Sequence, residues 1–193
     1  MHHVPYLCLD SHISNVSKSN YYQIHQIRPA LDHSSAVLLA NALVSSRLDF
    51  CNSLYFGLLG SSLKRLQLVQ NSLARSIFPN IRKFNHVSRA IRDLHWLPIE
   101  QRITFKVATM TYKALHHNAP SCLSELVIPY IPTRHLRSES KNLLTVPRID
   151  SAAGRRSFSY AAPHVWNSLP EKLRSCPSFE SFRSLLKTHL FPP

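Results

Sequence analysis

Apolar positions recur along most of this chain at spacings of three and four, the signature of amphipathic helices. Residues 1–20 are the exception, being polar and irregular with many serines and histidines. From Tyr21 the pattern turns helical, with Ile24, Ile27 and Leu31 in register and a break marked by Pro29. Residues 36–48 (AVLLANALVSSRL) are nearly all apolar for two turns, which predicts one long helix as the most buried element. Gly57 and Gly60 are expected in a loop. Ser61 or Ser62 then caps a helix that runs to about Phe78, with Leu63, Leu66, Leu73 and Ile77 as its stripe and Val69 beside it.

Two more helices are expected at about 86–94 and 99–117, separated by Pro98. The second puts Ile103, Val107, Met110 and Ala114 on one face and Arg102, Lys106 and Lys113 on a neighbouring basic edge. A short helix over 121–127 precedes a change of character. Residues 128–157 are extended and basic, with Leu143, Leu144 and Val146 as the strand-like run. A single turn over 162–169 around Trp166 and a last helix over 178–190, striped by Phe179, Phe182, Leu186 and Leu190, complete the pattern. The fold class is therefore mainly α: a helical bundle over 21–127, a basic extended arm over 128–157, and a looser C-terminal part over 158–193 that packs back through Phe158 and Trp166. One short β-hairpin is allowed within 142–161.

Composition sharpens this picture. Thirteen prolines against three glycines argue for helices punctuated by proline rather than folds built on glycine turns. The 23 Lys and Arg against ten Asp and Glu give a net charge of +13, a field that attracts polyanions, nucleic acid first among them. Arg134, Arg137, Lys141, Arg148, Arg155 and Arg156 punctuate a segment that also carries Phe158, Tyr160 and Trp166. Cations can neutralise phosphates and aromatic faces can stack unpaired bases, so these residues, with Lys64, Arg65, Arg102, Lys106 and Lys113, are the candidate nucleic-acid contacts. The large rings Phe158 and Trp166 are expected in the core.

Candidate chemistry of other kinds is thin. No two acidic residues are adjacent, so no paired-aspartate metal site forms locally. No GxSxG motif or glycine-rich phosphate loop occurs. His2, His3, Cys8 and His12, or His116 and His117, lack the second ligand pair that tetrahedral zinc needs, and Asp93, Glu100 and Glu125 read as surface and capping carboxylates rather than acid/base groups. No cofactor or small-molecule substrate is implied. Cys8, Cys51, Cys122 and Cys176 lie more than forty residues apart, and without a secretory signal they read as buried or free thiols in a reducing compartment, nucleus or cytoplasm. No run approaches the roughly 20 apolar residues of a membrane span.

Several runs are specific enough to carry a resemblance. SRLDFCNSLYFGL (46–58), KRLQLVQNSLAR (64–75), LHWLPIEQRITFKVATMTYKALHHNAPSCLSELV (94–127), GRRSFSYAAPHVWNSLPEKLR (154–174) and FRSLLKTHLF (182–191) follow one another in order, with LRS (136–138) and VPR (146–148) between. Together they resemble the C-terminal part of reverse transcriptases of jockey- and chicken-repeat-type LINE non-LTR retrotransposons, from about residue 12 onward. Departures are mild: Phe50 and Cys122 stand where that family has Tyr, and Gly57-Leu58-Leu59-Gly60 replaces its Gly-Leu-Pro.

The resemblance implies that residues 4–16 are a shortened relic of the palm and primer-grip region, that 34–78 corresponds to the thumb, and that 94–191 is the terminal extension. In that family the catalytic Tyr/Phe-Ala-Asp-Asp lies upstream of everything quoted. The expectation is thus a non-catalytic fragment of an RNA-directed DNA polymerase with residual RNA or DNA binding. A co-opted nucleic-acid-binding module and a helical protein-interaction module are the alternatives.

Overall fold

Prolines and polar loops interrupt the helices of the described residues, and the structure shows how the backbone groups left over at those junctions are satisfied. The computed structural model describes residues 28–78, 80–81, 85–116, 119–132 and 142–191. The residues read from sequence as a degraded segment (1–20), the register of Ile24 and Ile27, and the histidines His2, His3, His12 and His117 lie outside the described residues. The fold is mainly α and bundle-like, and it divides into two compact units. Unit 1 comprises Met1–Phe50 and Leu58–Ile99; unit 2 comprises Cys51–Gly57 and Glu100–Pro193.

In unit 1, helix α1 (His33–Ala40) starts at Asp32, whose carboxylate accepts from the backbone N–H groups of Ser34 at 3.1 Å and Ser35 at 3.5 Å and from the Ser34 hydroxyl. These bonds, first the one from Ser34, hold the exposed Asp32 carboxyl down at about 2. The chain continues without a break through a π-helical turn, Asn41–Ser45, into α2 (Ser46–Asp49). Ala36, Ala40, Ser45 and Leu48 form its buried row, and the step of five from Ala40 to Ser45 is the widened turn that keeps them on one side. The prediction that 36–48 is the most buried element is corrected here. Leu38 is 70% exposed, because a helix apolar all round can bury only the side that faces its neighbours.

Helix α3 (Gly60–Ile77) buries Ser62, Leu66, Gln70, Leu73, Ala74 and Ile77, a stripe of fours and threes, while Leu63 and Val69 are half-buried. Its N-cap is Leu59, so Gly60 is helical rather than in a loop, and neither Ser61 nor Ser62 caps it. At its other end the half-buried Arg28 guanidinium donates to the Ser76 carbonyl (2.9 Å), the Ile77 carbonyl (3.1 Å) and the Leu31 carbonyl (2.8 Å). A cation thus meets the negative end of the helix dipole.

Helix α4 (Ser88–Asp93) closes with His95 at φ 54°, the His95 N–H reaching the Arg92 carbonyl (2.8 Å) and the Trp96 N–H the Ile91 carbonyl (2.9 Å). This is a Schellman cap with histidine in the left-handed position. It turns the chain so that Trp96, Leu97 and Ile99 are buried around Pro98. Pro98 offers no N–H, and its neighbours are met by amides of α3. Gln70, fully buried, donates to the Leu97 carbonyl at 2.8 Å. Gln67 accepts from the Ile99 N–H at 2.9 Å and donates to Gln70 and Asn71. The Trp96 indole N–H reaches the Asn41 side chain at 2.9 Å.

Unit 2 is built on α5 (Ile99–Leu115), which enters it at Glu100, with the short α6 (Ser121–Ser124), α7 (Phe158–Ser168), α8 (Glu171–Arg174) and α9 (Phe179–Leu190). Its core is aromatic. The Tyr112 ring stacks on Phe182 at 4.5 Å and on His116 at 4.0 Å, and Trp166 lies 5.8 Å from Phe182. The Tyr112 hydroxyl donates to the Cys176 carbonyl, and burial pushes its pKa up. The C-terminal part is therefore not the looser one: Trp166, Phe182 and Leu186 are among the most buried residues of the chain. Phe158 is half-buried, and α7 spans three turns rather than the single turn expected over 162–169.

The expected hairpin within 142–161 is absent among the described residues. Leu144 instead pairs with Pro129, with Tyr130 N–H to the Leu143 carbonyl (2.9 Å) and Thr145 N–H to the Ile128 carbonyl (2.8 Å). The groups of Leu144 that face the other way are taken by one side chain: Asn167 accepts from its N–H at 2.9 Å and donates to its carbonyl at 2.8 Å. Asn167 thus acts as a third strand one residue long, and no hairpin partner is needed.

Gln70→Leu is expected to lower unfolding free energy by about 1–3 kcal/mol by leaving the Leu97 carbonyl without its donor, measured by urea denaturation. The exposed Leu68→Gln in the same helix should stay within about 0.5 kcal/mol. Asp32 is depressed from 3.8 to about 2, so its cap stabilises α1 above pH 4 and is lost as pH falls through about 2. A carboxyl titration followed by NMR should place the Asp32 midpoint well below the ordinary aspartate value of 3.8.

Candidate nucleic-acid interface

The cations singled out from sequence fall in different settings. Lys64 and Arg65 are exposed on α3 in unit 1. On α5, Arg102, Lys106 and Lys113 fall within roughly 40° of one another at 100° per residue, on the side opposite the buried Val107 and Thr111. Lys106 is exposed, whereas Arg102 and Lys113 are half-buried. The Lys113 ammonium sits 4.7 Å from the centre of the Phe179 ring, a cation–π contact that commits its charge to packing. Arg148 is exposed in the extended segment. Arg134, Arg137 and Lys141 lie outside the described residues.

Arg155 and Arg156 are positioned more firmly. Residues Gly154–Arg156 form a short 3-10 turn, set by the Gly154 N–H on the Ser151 hydroxyl (3.1 Å) and the Arg155 N–H on the Ser151 carbonyl (3.1 Å). The Arg155 Nε–H donates back to the Ile149 carbonyl at 3.0 Å. A side chain at Gly154 would run into Ile149 Cγ2 and lie 2.8 Å from Ser151 Oγ, so any larger residue there must push these side chains aside.

The turn leads straight into α7, and a strap from the other end of unit 2 lies against it. Residues Asn52–Tyr55 form a 3-10 turn whose Tyr55 is buried; Phe56 follows, then Gly57 at φ 69°. Gly57 packs on the aliphatic stem of Arg156, whose Cγ would be 3.6 Å from a Cβ there. Phe56 meets the exposed His164 edge-on at 5.9 Å, and Tyr160, one turn before His164, stacks on it at 5.7 Å. Phe56 and Tyr160 thus each contact His164, and Arg155 and Arg156 lie in the turn that leads into the helix carrying two of these rings.

Sequence reading named Arg155, Arg156 and Tyr160 but missed Phe56 and His164. The spacing of Tyr160 and His164 joins them on one helix once α7 starts at Phe158 rather than at the expected Ala162. Nothing local to Phe56 places it there, since that contact spans more than a hundred residues. The buried cation Arg174 is structural: its guanidinium donates to the Leu169 and Asn167 carbonyls, and burial lowers its pKa.

Among the described residues no group of three His, Cys, Asp or Glu could hold a metal ion, and no helix is long and apolar enough to cross a membrane. Cys51 and Cys122 are exposed free thiols and Cys176 is buried. No family model matches the chain, and neither a curated protein nor a solved structure is significantly similar to it.

Gly154→Ala is expected to lower the stability of unit 2 by about 1 kcal/mol through the overlap with Ile149 and Ser151. Gly60→Ala, which meets nothing within 4 Å in the first turn of α3, should be neutral or stabilising by up to about 1 kcal/mol. Thermal unfolding of the two variants separates a glycine required by space from one that is not.

Proposed function

We propose that this chain is the thumb and terminal-extension part of a LINE-type reverse transcriptase and acts as a non-catalytic RNA- or DNA-binding polypeptide. The observation that carries this reading is the way the resembling runs lock together. The glutamines of KRLQLVQNSLAR hold the backbone on either side of Pro98 in LHWLPIE, and the tryptophan of that second run bonds Asn41. Within GRRSFSYAAPHVWNSLPEKLR, Asn167 and Trp166 fix residues 142–144. Polar residues that give the runs their specificity are thus occupied in holding a fold together, which suits a binding scaffold better than an active site. The excess of cations supplies the long-range attraction to phosphate.

A second reading has one observation of its own. Ile128, Tyr130, Ile131 and Val146 expose apolar surface around the Pro129–Leu144 pairing, Ile131 to 84%. Such a patch fits a protein-interaction module.

The test is binding of the purified chain to a single-stranded RNA and to a duplex at 50 and 200 mM salt. Neutralising about four phosphates should weaken single-strand binding roughly 50-fold over that range. A folded chain that binds neither nucleic acid at the lower salt contradicts the proposal, and salt-independent capture of a protein partner favours the second reading.

A further inference from the structure

We infer that Phe56, Tyr160 and His164, with Arg155 and Arg156 beside them, form a stacking site for unpaired bases of a single strand. The inference rests on the nucleic-acid reading above and names the part of the polyanion recognised and the residues that recognise it.

The geometry supplies both halves of single-strand recognition. Base faces are bound by aromatic rings regardless of sequence, and the backbone by cations within one nucleotide's reach. His164 is exposed and contacts two half-buried rings, Phe56 edge-on at 5.9 Å and Tyr160 in a stack at 5.7 Å. Burial of part of Phe56 and Tyr160 fixes their planes before any ligand arrives, which lowers the ordering cost of binding. Tyr160 and His164 are one turn apart on α7 and present along a single helical face.

The cations come from the turn before α7. Gly57, the residue after Phe56, faces the Arg156 stem, whose Cγ would lie 3.6 Å from a Cβ there. Arg155 is exposed, and its Nε–H bond to the Ile149 carbonyl orients it from its own side of the turn. Other rings of unit 2 are placed differently: Tyr112, Phe182 and Trp166 are buried, the exposed His116 stacks on the buried Tyr112, and the Lys113 ammonium sits over the Phe179 ring. A duplex hides its base faces in the stack, so the site discriminates in favour of single strands.

The test uses the full chain and two probes of equal length and charge, a single-stranded oligonucleotide and its abasic counterpart, at one moderate salt concentration. The base-bearing probe is expected to bind roughly tenfold tighter than the abasic one. His164→Ala removes an exposed ring with little cost to the fold, and Phe56→Leu and Tyr160→Leu keep apolar bulk. Each variant, checked by its circular dichroism and melting temperature, should erase most of that difference while leaving abasic binding intact. Arg155→Gln with Arg156→Gln should weaken both probes alike. Equal binding of the two probes by the folded wild-type chain, or a preference that survives all three ring variants, overturns the stacking site and leaves the nucleic-acid reading standing. Failure of the folded chain to bind either probe overturns both.

Discussion

Backbone groups at the helix junctions are the constraint on which this structure depends. Proline removes donors and stops helices, and glycine, the residue that most readily makes tight turns, is scarce in this chain. Long polar side chains do that work instead. Arg28 takes the last carbonyls of α3, Gln67 and Gln70 take the groups flanking Pro98, Asn167 takes both groups of Leu144, and the Trp166 indole takes the carbonyl of Asn142. Each of these side chains reaches a backbone group distant in sequence. Several junctions are therefore fixed by tertiary contact, alongside local caps such as those at Asp32 and His95.

This division of labour bears directly on function. Side chains that would first attract attention as chemistry, such as the buried Gln70, the buried Arg174 or Tyr112 with its raised pKa, are each accounted for by a backbone partner. Polar groups left at the surface in a fixed arrangement are of another kind: guanidinium groups and rings around the start of α7. Their arrangement suits recognition of a flexible polyanion, and the proposal for this chain follows from that contrast. Lys113 makes the same point from the other side, since a cation on a basic edge can be absorbed by a neighbouring ring.

Much of the fold was legible because periodicity reports burial. Of the expected stripes, Leu66, Leu73 and Ile77 in α3, Ile103, Val107 and Ala114 in α5, and Phe182 and Leu186 in α9 are buried, and the mainly α class followed from them. Leu63, Met110, Phe179 and Leu190 are half-buried, and the buried Gln70 and Tyr112 lay outside the expected stripes. Failures occurred where a side chain from afar overrides the local pattern. Residues 36–48 look uniformly apolar, yet the buried row among the described residues runs through Ala36, Ala40, Ser45 and Leu48. The helix over 158–168 is longer than the single turn expected over 162–169 and accommodates Pro163 in its interior. Leu144 looked like a hairpin strand, but its second partner is the amide of Asn167, which no strand pattern encodes. Within the candidate site the arginines and Tyr160 were visible from composition, whereas Phe56 and His164 become neighbours only through the fold.

Photo-cross-linking with peptide mapping tests the central claim most directly. A single-stranded RNA carrying 4-thiouridine would be irradiated in complex with the full chain and the modified peptides identified. The account predicts adducts on the peptides carrying Phe56 and Tyr160–His164, competed away by unlabelled single strand but poorly by duplex. Adducts confined to α3 and its neighbours in unit 1, or a bound RNA that leaves those two peptides unmodified, would contradict it.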